Sequence, residues 1–185
     1  MSRGPVREAL RFLEQEHLIV RQPHRGLFVA APSRAEIYDV ACLRTLLEVY
    51  ALRWGELPGD EEIERLRDIL ASMEAAEKSE NPLEAVRSDL AFHAAIAGRS
   101  RNSILARKHR ELDGYMALYF HATLTQAEKG LSGLTDRHRE ILRALERRDL
   151  FEVGLRIEEH YNDLSLGCDN EGLTPGPILM FEEHR

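Results

Sequence analysis

Two cysteines, Cys42 and Cys168, are all that 185 residues offer, which excludes a disulfide-built scaffold and agrees with a reducing compartment. No run approaches the roughly eighteen apolar residues of a membrane span, and the N-terminus lacks the apolar core of a secretory signal. A cytoplasmic protein with no membrane partner is the expectation. Beyond Ser33 there is no convincing strand pattern and no internal repeat. What is present, 43% hydrophobic and 31% charged residues, suffices for one good-sized core with a small appendage.

Charge is unevenly spread. Residues 1–34 carry six arginines against three acids, a net +3 that leaves −10 for the rest of a chain whose formal total is −7. A basic head on an acidic body suits an end that meets nucleic acid and a body that does not. In the head, Pro5 suits the first turn of a helix and Ser2 is placed to cap it. Val6, Leu10, Leu13 and Leu18 form an apolar stripe. Arg3, Arg7 and Arg11 stand at helical spacing, where guanidinium groups can meet phosphates or base edges. After Pro23, the run Gly26 to Ala30 has the pattern of one arm of a β-wing. Helix followed by wing reads as a winged helix.

These segments resemble the GntR family of bacterial transcription regulators, whose winged helix carries a signature like S-R-x-P-V-R-E-A-L, then L-E-x-E-G-L and R-G-x-F-V. Here they are Ser2 to Leu10, Leu13 to Leu18 and Arg25 to Val29, with His17 where glycine is usual. The resemblance implies operator-DNA contacts from Ser2, Arg3, Pro5, Arg7, Arg11, Arg25 and Gly26. It also implies two further helices ahead of Ser2, so the head is expected to be a partial, N-terminally truncated winged helix.

From Ser33 the periodicity is helical. Ser33-Arg34-Ala35-Glu36 is a capping box that opens a helix through Trp54. Pro58-Gly59-Asp60 breaks the chain before a second helix with Ile63, Leu66, Ile69, Leu70 and Met73 inward, ending near Lys78. Asn81-Pro82 starts a third, which gives way around Gly98 to a long helix carrying Leu105, Leu112, Met116 and Tyr119. A loop at Gly130 to Gly133 follows. Thr135 and Asp136 are expected to cap the next helix, and Asp149 the last one. Tyr50 and Trp54 are assigned to the core first, with an interface as the alternative. The expected fold is mainly α: an all-helical bundle of about six to seven helices behind the partial winged helix. The boundaries are a head at 1–32, a helical body at 33–167 and a tail at 168–185, in which Ile178 to Phe181 is apolar enough to dock.

Polar residues on the inward faces carry the chemistry, since burial without partners is costly. Asp89 and His93 are four apart on the stripe of Val86, Leu90 and Ile96, which makes their side chains neighbours. His138 and His160 also point inward from their helices. One carboxylate and three imidazoles suit zinc, nickel or another divalent transition metal, and a bundle interior is a usual place for such a site. His109 and His121 lie near an apolar stripe too, and periodicity cannot choose among them. Arg44 falls in the middle of an inward stripe. It reads either as a bidentate carboxylate contact or as an internal salt bridge to Glu48 or Asp89.

The body resembles the FCD domain that accompanies the FadR subgroup of GntR regulators. Its metal-binding members have D-x-x-x-H followed by two single histidines on later helices. Asp89-Leu90-Ala91-Phe92-His93 matches, and the resemblance places His138 and His160 as the remaining ligands of one divalent metal per chain. It likewise implies that Arg44, in an L-R-x-x-L-E context, and Asn102 line an effector cavity, with Asn102 equally readable as a helix cap. The leading function is a homodimeric, ligand-responsive transcription regulator whose helical domain binds a metal and a small organic acid. The alternatives are a metal-dependent hydrolase and a sensor or assembly domain without DNA binding. The hydrolase lacks both a His-Asp dipeptide and a spare inward carboxylate for a general base.

Overall fold

The computed structural model describes residues 3–16, 18–124, 131 and 133–166. The side chains at 3, 121–124 and 163–166 lie outside that description. Ser2, Gly130, Cys168 and the stretch Ile178 to Phe181 therefore fall outside it as well.

Helix α1 (Arg3–Gln15) carries Pro5 in its first turn, where the missing N–H costs nothing. Strands β1 (Ile19–Gln22) and β2 (Gly26–Val29) pair antiparallel, with Ile19 opposite Val29 and Gln22 opposite Gly26. The turn between them needs left-handed backbone at His24 and Gly26, with φ of 61° and 100°, which glycine adopts without strain. Helix and hairpin form the head. Leu18 ties it together: its N–H donates to Leu13 O and its carbonyl accepts from Ala30 N, both at 2.9 Å.

Among the described residues the body is a bundle of seven α-helices. Helix α2 (Arg34–Trp54) opens on the expected capping box, with Ser33 Oγ accepting from Glu36 N and the Glu36 carboxylate accepting from Ser33 N. Helices α3 (Asp60–Lys78) and α4 (Pro82–Ala97) follow, the second capped by Asn81. After a 3-10 turn at Gly98–Ser100 come α5 (Ser103–Glu111), α6 (Asp113–Leu124), α7 (Leu134–Glu146) and α8 (Leu150–Leu166). Asp149 caps α8 through Glu152 N, as the sequence suggested. The closest packing is α2 on α8, α3 on α4, α3 on α7 and α7 on α8. Leu66, Met73, Phe92, Ile96, Met116, Ile141, Leu145 and Ile157 are almost wholly buried between them. Each such side chain stabilises the fold by about 1.5–3 kcal/mol.

Three expectations need correction. The long helix after Gly98 is two helices, broken at Leu112, so that His109 and Asp113 address different partners in the core. The cap of α7 is Gly133, in left-handed backbone, and not Thr135 or Asp136. Thr135 lies inside the helix because Glu77 of α3 accepts the N–H groups of Gly133 and Thr135 and the Thr135 hydroxyl. Tyr50 and Trp54 are not core residues: they are 47% and 64% exposed. Helix α2 has apolar residues on both sides, Val40, Ala41, Val49 and Leu52 inward and Leu43, Leu46, Tyr50 and Trp54 outward. Composition alone could not say which side is covered.

Candidate metal centre

Helices α4, α7 and α8 bring four side chains that could ligate a metal to one point. Asp89 and His93 sit on successive turns of α4, His138 comes from α7 and His160 from α8. All four are buried, and one ligand atom from each lies within 4.8 Å of every other. His109, the competing choice, is buried elsewhere against Glu48. The side chain of His121 is outside the described residues.

Hydrogen bonding fixes which ring atoms can serve. His138 Nδ1 is 2.8 Å from Leu134 O; a carbonyl only accepts, so Nδ1 carries the hydrogen and Nε2 presents its lone pair inward. His93 Nδ1 is 2.8 Å from Glu48 Oε2, and the same reasoning leaves its Nε2 a lone pair that can accept. That Nε2 faces His160 Nε2 at 3.2 Å. His138 Nε2 and Asp89 Oδ1 are 3.0 Å apart, yet neither has a hydrogen-bond partner. Lone pairs that converge in a buried space are what a cation requires, and orphaned buried acceptors are otherwise costly. A donor set of three imidazoles and one carboxylate fits a divalent transition metal.

Burial pushes the Asp89 carboxyl upward, but His138, then His93 and His160, outweigh it and bring the pKa down to about 2. Burial, with repulsion from His138 and His93, holds His160 well below the ordinary imidazole range. The site therefore offers an ionised carboxylate and a neutral His160, the protonation states a metal ligand needs.

Behind the ligands lies a buried network that sequence reading largely missed. Glu48 of α2 accepts from His93 Nδ1, from His109 Nε2 at 2.8 Å and from the Tyr161 hydroxyl at 2.7 Å. Burial alone would raise its pKa; His93 and His109 hold it well below the carboxylate range. Burial, reinforced by Glu48 and opposed by Arg44, drives the Tyr161 hydroxyl well above its usual range, so it stays protonated. A carboxylate behind a ligand imidazole orients the ring and raises its basicity. The available signal was Glu48 itself, four residues after Arg44 on the same inward stripe.

Arg44 is fully buried, as expected, but pairs with neither Glu48 nor Asp89 directly. Its Nε donates to Tyr161 Oη at 2.9 Å and its NH1 to Asp113 Oδ1 at 2.6 Å. Burial opposes its charge; Tyr161, Glu48 and Asp113 more than restore it, and its pKa is raised above the arginine range. Asn102 is exposed, and its side-chain oxygen caps α5 by accepting from Ile104 N and Leu105 N. A groove of about 810 Å³ is lined by Glu56, Arg65, Ala91, Ala95, Arg99 and Arg110 among others, and by none of the four ligand residues. In the head, Pro5, Arg7, Arg11, Arg25 and Gly26 are exposed, and the Arg25 guanidinium lies 6.0 Å from the Phe28 ring centroid.

Among the described residues no helix is long and apolar enough to cross a membrane. Comparison with known proteins agrees with this architecture. The model of the FCD domain matches residues 36–163. The chain is 28% identical over 188 residues to the HTH-type transcriptional repressor GlaR of Escherichia coli strain K12, covering 96% of this chain and 79% of that protein. It is 24% identical over 169 residues to the gluconate operon transcriptional repressor of Bacillus licheniformis, covering 89% and 69%. A crystal structure of a GntR-type transcriptional regulator from Rhodococcus sp. RHA1 superposes with a TM-score of 0.80 at 23% identity, over 90% of this chain and 80% of that one. The helix and hairpin of the head, the helical body and the matched residues converge: this chain belongs to the FCD-domain family of GntR transcriptional regulators, which are transcription factors and not enzymes.

Proposed function

We propose that this protein is a metal-dependent, ligand-responsive regulator of the FadR subgroup, in which residues 1–32 meet operator DNA, residues 33–167 sense a small organic acid and residues 168–185 form a tail. The observation that carries the reading is the convergence of Asp89, His93, His138 and His160, with the His93 and His138 rings oriented by Glu48 and Leu134 O. One zinc or nickel ion per chain would be held by these four side chains. When bound, it supplies a Lewis-acidic centre with open positions for an oxygen ligand.

The chain's own residues supply the rest. Arg44 is the charged donor nearest in character to what a carboxylate needs, planar, desolvated and permanently protonated. Asn102 is a second effector contact only insofar as its amide nitrogen remains free of the cap it makes. Ser2, Arg3, Pro5, Arg7, Arg11, Arg25 and Gly26 form the DNA-facing set. A homodimer presenting two heads suits two-fold operators, and the outward stripe of Leu43, Leu46, Tyr50 and Trp54 on α2 is the apolar surface a second copy would cover. Sensing requires that the acid bind one arrangement of the dimer more tightly than the other.

Elemental analysis of the purified protein beside His93→Ala and His160→Ala tests the core of this reading. About one ion per chain, lost in both variants, is the expected result. Binding of the metal-loaded protein to duplexes selected from a random pool, with and without carboxylates, tests the rest. A protein that takes up no metal after reconstitution would sink the proposal.

A further inference from the structure

The Arg44–Asp113 pair has an asymmetry that fits a replaceable partner. Arg44 is completely inaccessible, while the Asp113 side chain is 27% exposed, so Asp113 is the member of the pair that meets solvent. Asp113 occupies one tine of the fork, NH1 at 2.6 Å; NH2 is buried without a partner. Asp113 is tethered as the first residue of α6, and from there it meets one donor of the fork and leaves the other unpaired. A free carboxylate has that freedom and can take NH1 and NH2 together, recovering an orphaned donor as well as the charge pairing.

The residue beside Asp113 touches the head. A methyl group built on Gly114 would lie 2.7 Å from Leu18 Cδ2, so this glycine exists in close apposition to Leu18. Leu18 in turn is hydrogen-bonded to the end of α1 and to the residue after β2. One step along the chain thus separates the partner of Arg44 from the contact that seats the helix and wing.

We propose that Asp113 is an internal stand-in for the ligand carboxylate on Arg44, and that its displacement shifts Gly114 against Leu18 and so repositions the winged head. This rests on the reading of Arg44 as the effector contact, and it adds the device by which occupancy reaches the DNA-binding end. A ligand of this site must carry a carboxylate able to compete with a tethered one. Its apparent affinity is set by how firmly Asp113 holds its place.

Hydrogen exchange on the full chain in zinc-supplemented buffer tests the coupling. Asp113→Asn keeps the shape and removes the charge; it should speed exchange about tenfold in residues 112–116 and again in residues 18–29, with α3 and α7 unchanged as the control for folding. In a Leu18→Ala background, where the head contact is gone, Asp113→Asn should no longer alter residues 18–29. Acetate is the ligand probe, read by ligand-observed NMR with acetamide as the uncharged control, and Asp113→Asn should bind it about tenfold more tightly than the wild type. An exchange change confined to residues 112–116 overturns the coupling. Equal acetate affinity in wild type and Asp113→Asn overturns the displacement: if Arg44→Lys still weakens acetate binding, the function proposed above stands and only this device falls, whereas if Arg44→Lys has no effect, both fall.

Discussion

Glu48 Oε2 and His93 Nδ1 are 2.8 Å apart and both fully enclosed by protein, so an α2 carboxylate sets the tautomer of an α4 ligand. Its other oxygen accepts from His109 and Tyr161. The ligand cluster is thereby wired to α2, α5 and α8 by a single acid that touches no inward-facing lone pair of the centre.

Glu48→Gln should therefore weaken metal binding by about 10–100-fold without removing a ligand. The amide cannot accept three donors with carboxylate strength, and His93 loses the bond that fixes its ring. A zinc competition titration against a chelator reads the change, with Glu111→Gln, an exposed surface site, as the control expected to do nothing.

Zinc should raise the thermal midpoint, since an ion that binds only the folded chain stabilises it by about 4 kcal/mol at a thousandfold excess over Kd. Because imidazole ligands must be deprotonated, that stabilisation should fade as pH falls. Calorimetry with and without zinc across the mildly acidic range is the check. A zinc effect that survives undiminished at acid pH would remove the histidines from the site.

Glu77→Ala tests the cross-helix cap of α7. Burial of Glu77 opposes ionisation, yet bonds from Thr135 and Gly133 and the charge of Arg139 lower its pKa from the ordinary 4.5. A carboxyl held low in the folded state contributes its full stabilisation above the unfolded value and loses it as pH falls through the folded one. The variant should be less stable by about 1 kcal/mol at neutral pH, by the usual worth of a cap. The gap should close below the carboxylate range, as denaturant titrations at several pH values would reveal.

Gly55→Ala should be costly for a steric reason. A Cβ there would lie 2.5 Å from Ala51 O and 2.9 Å from Arg99 O, and backbone oxygens cannot swing aside. Overpacking of this kind costs about 1–3 kcal/mol. Urea unfolding would measure it; a loss under 0.5 kcal/mol would mean that the turn after α2 relaxes freely.

In the head, Arg7→Ala and Arg11→Ala should each reduce the salt dependence of DNA binding by roughly one charge. Affinities measured over a range of salt concentrations give the slope directly. An unchanged slope would place α1 away from the phosphates.

Much of this protein is legible one residue at a time. The capping box at Ser33, the Asn81-Pro82 start, the Asp149 cap and the apolar periods of α3, α4 and α8 are local signals, because caps and i, i+3, i+4 stripes are satisfied within a turn or two of the same helix. Asp89, His93, His138 and His160 are legible as candidate ligands for the same reason, as polar groups on stripes that must face inward, and their side chains meet at one point; the choice of His138 and His160 over His109 and His121 comes from the resemblance. Tertiary structure alone decided what no local rule contains. It split the long helix at Leu112, gave the α7 cap to Glu77 of α3, put Tyr50 and Trp54 outside, and paired Arg44 with Asp113 across 69 residues of chain. Each outcome depends on which of several chemically suitable partners lies within reach, and that is settled by how the helices pack.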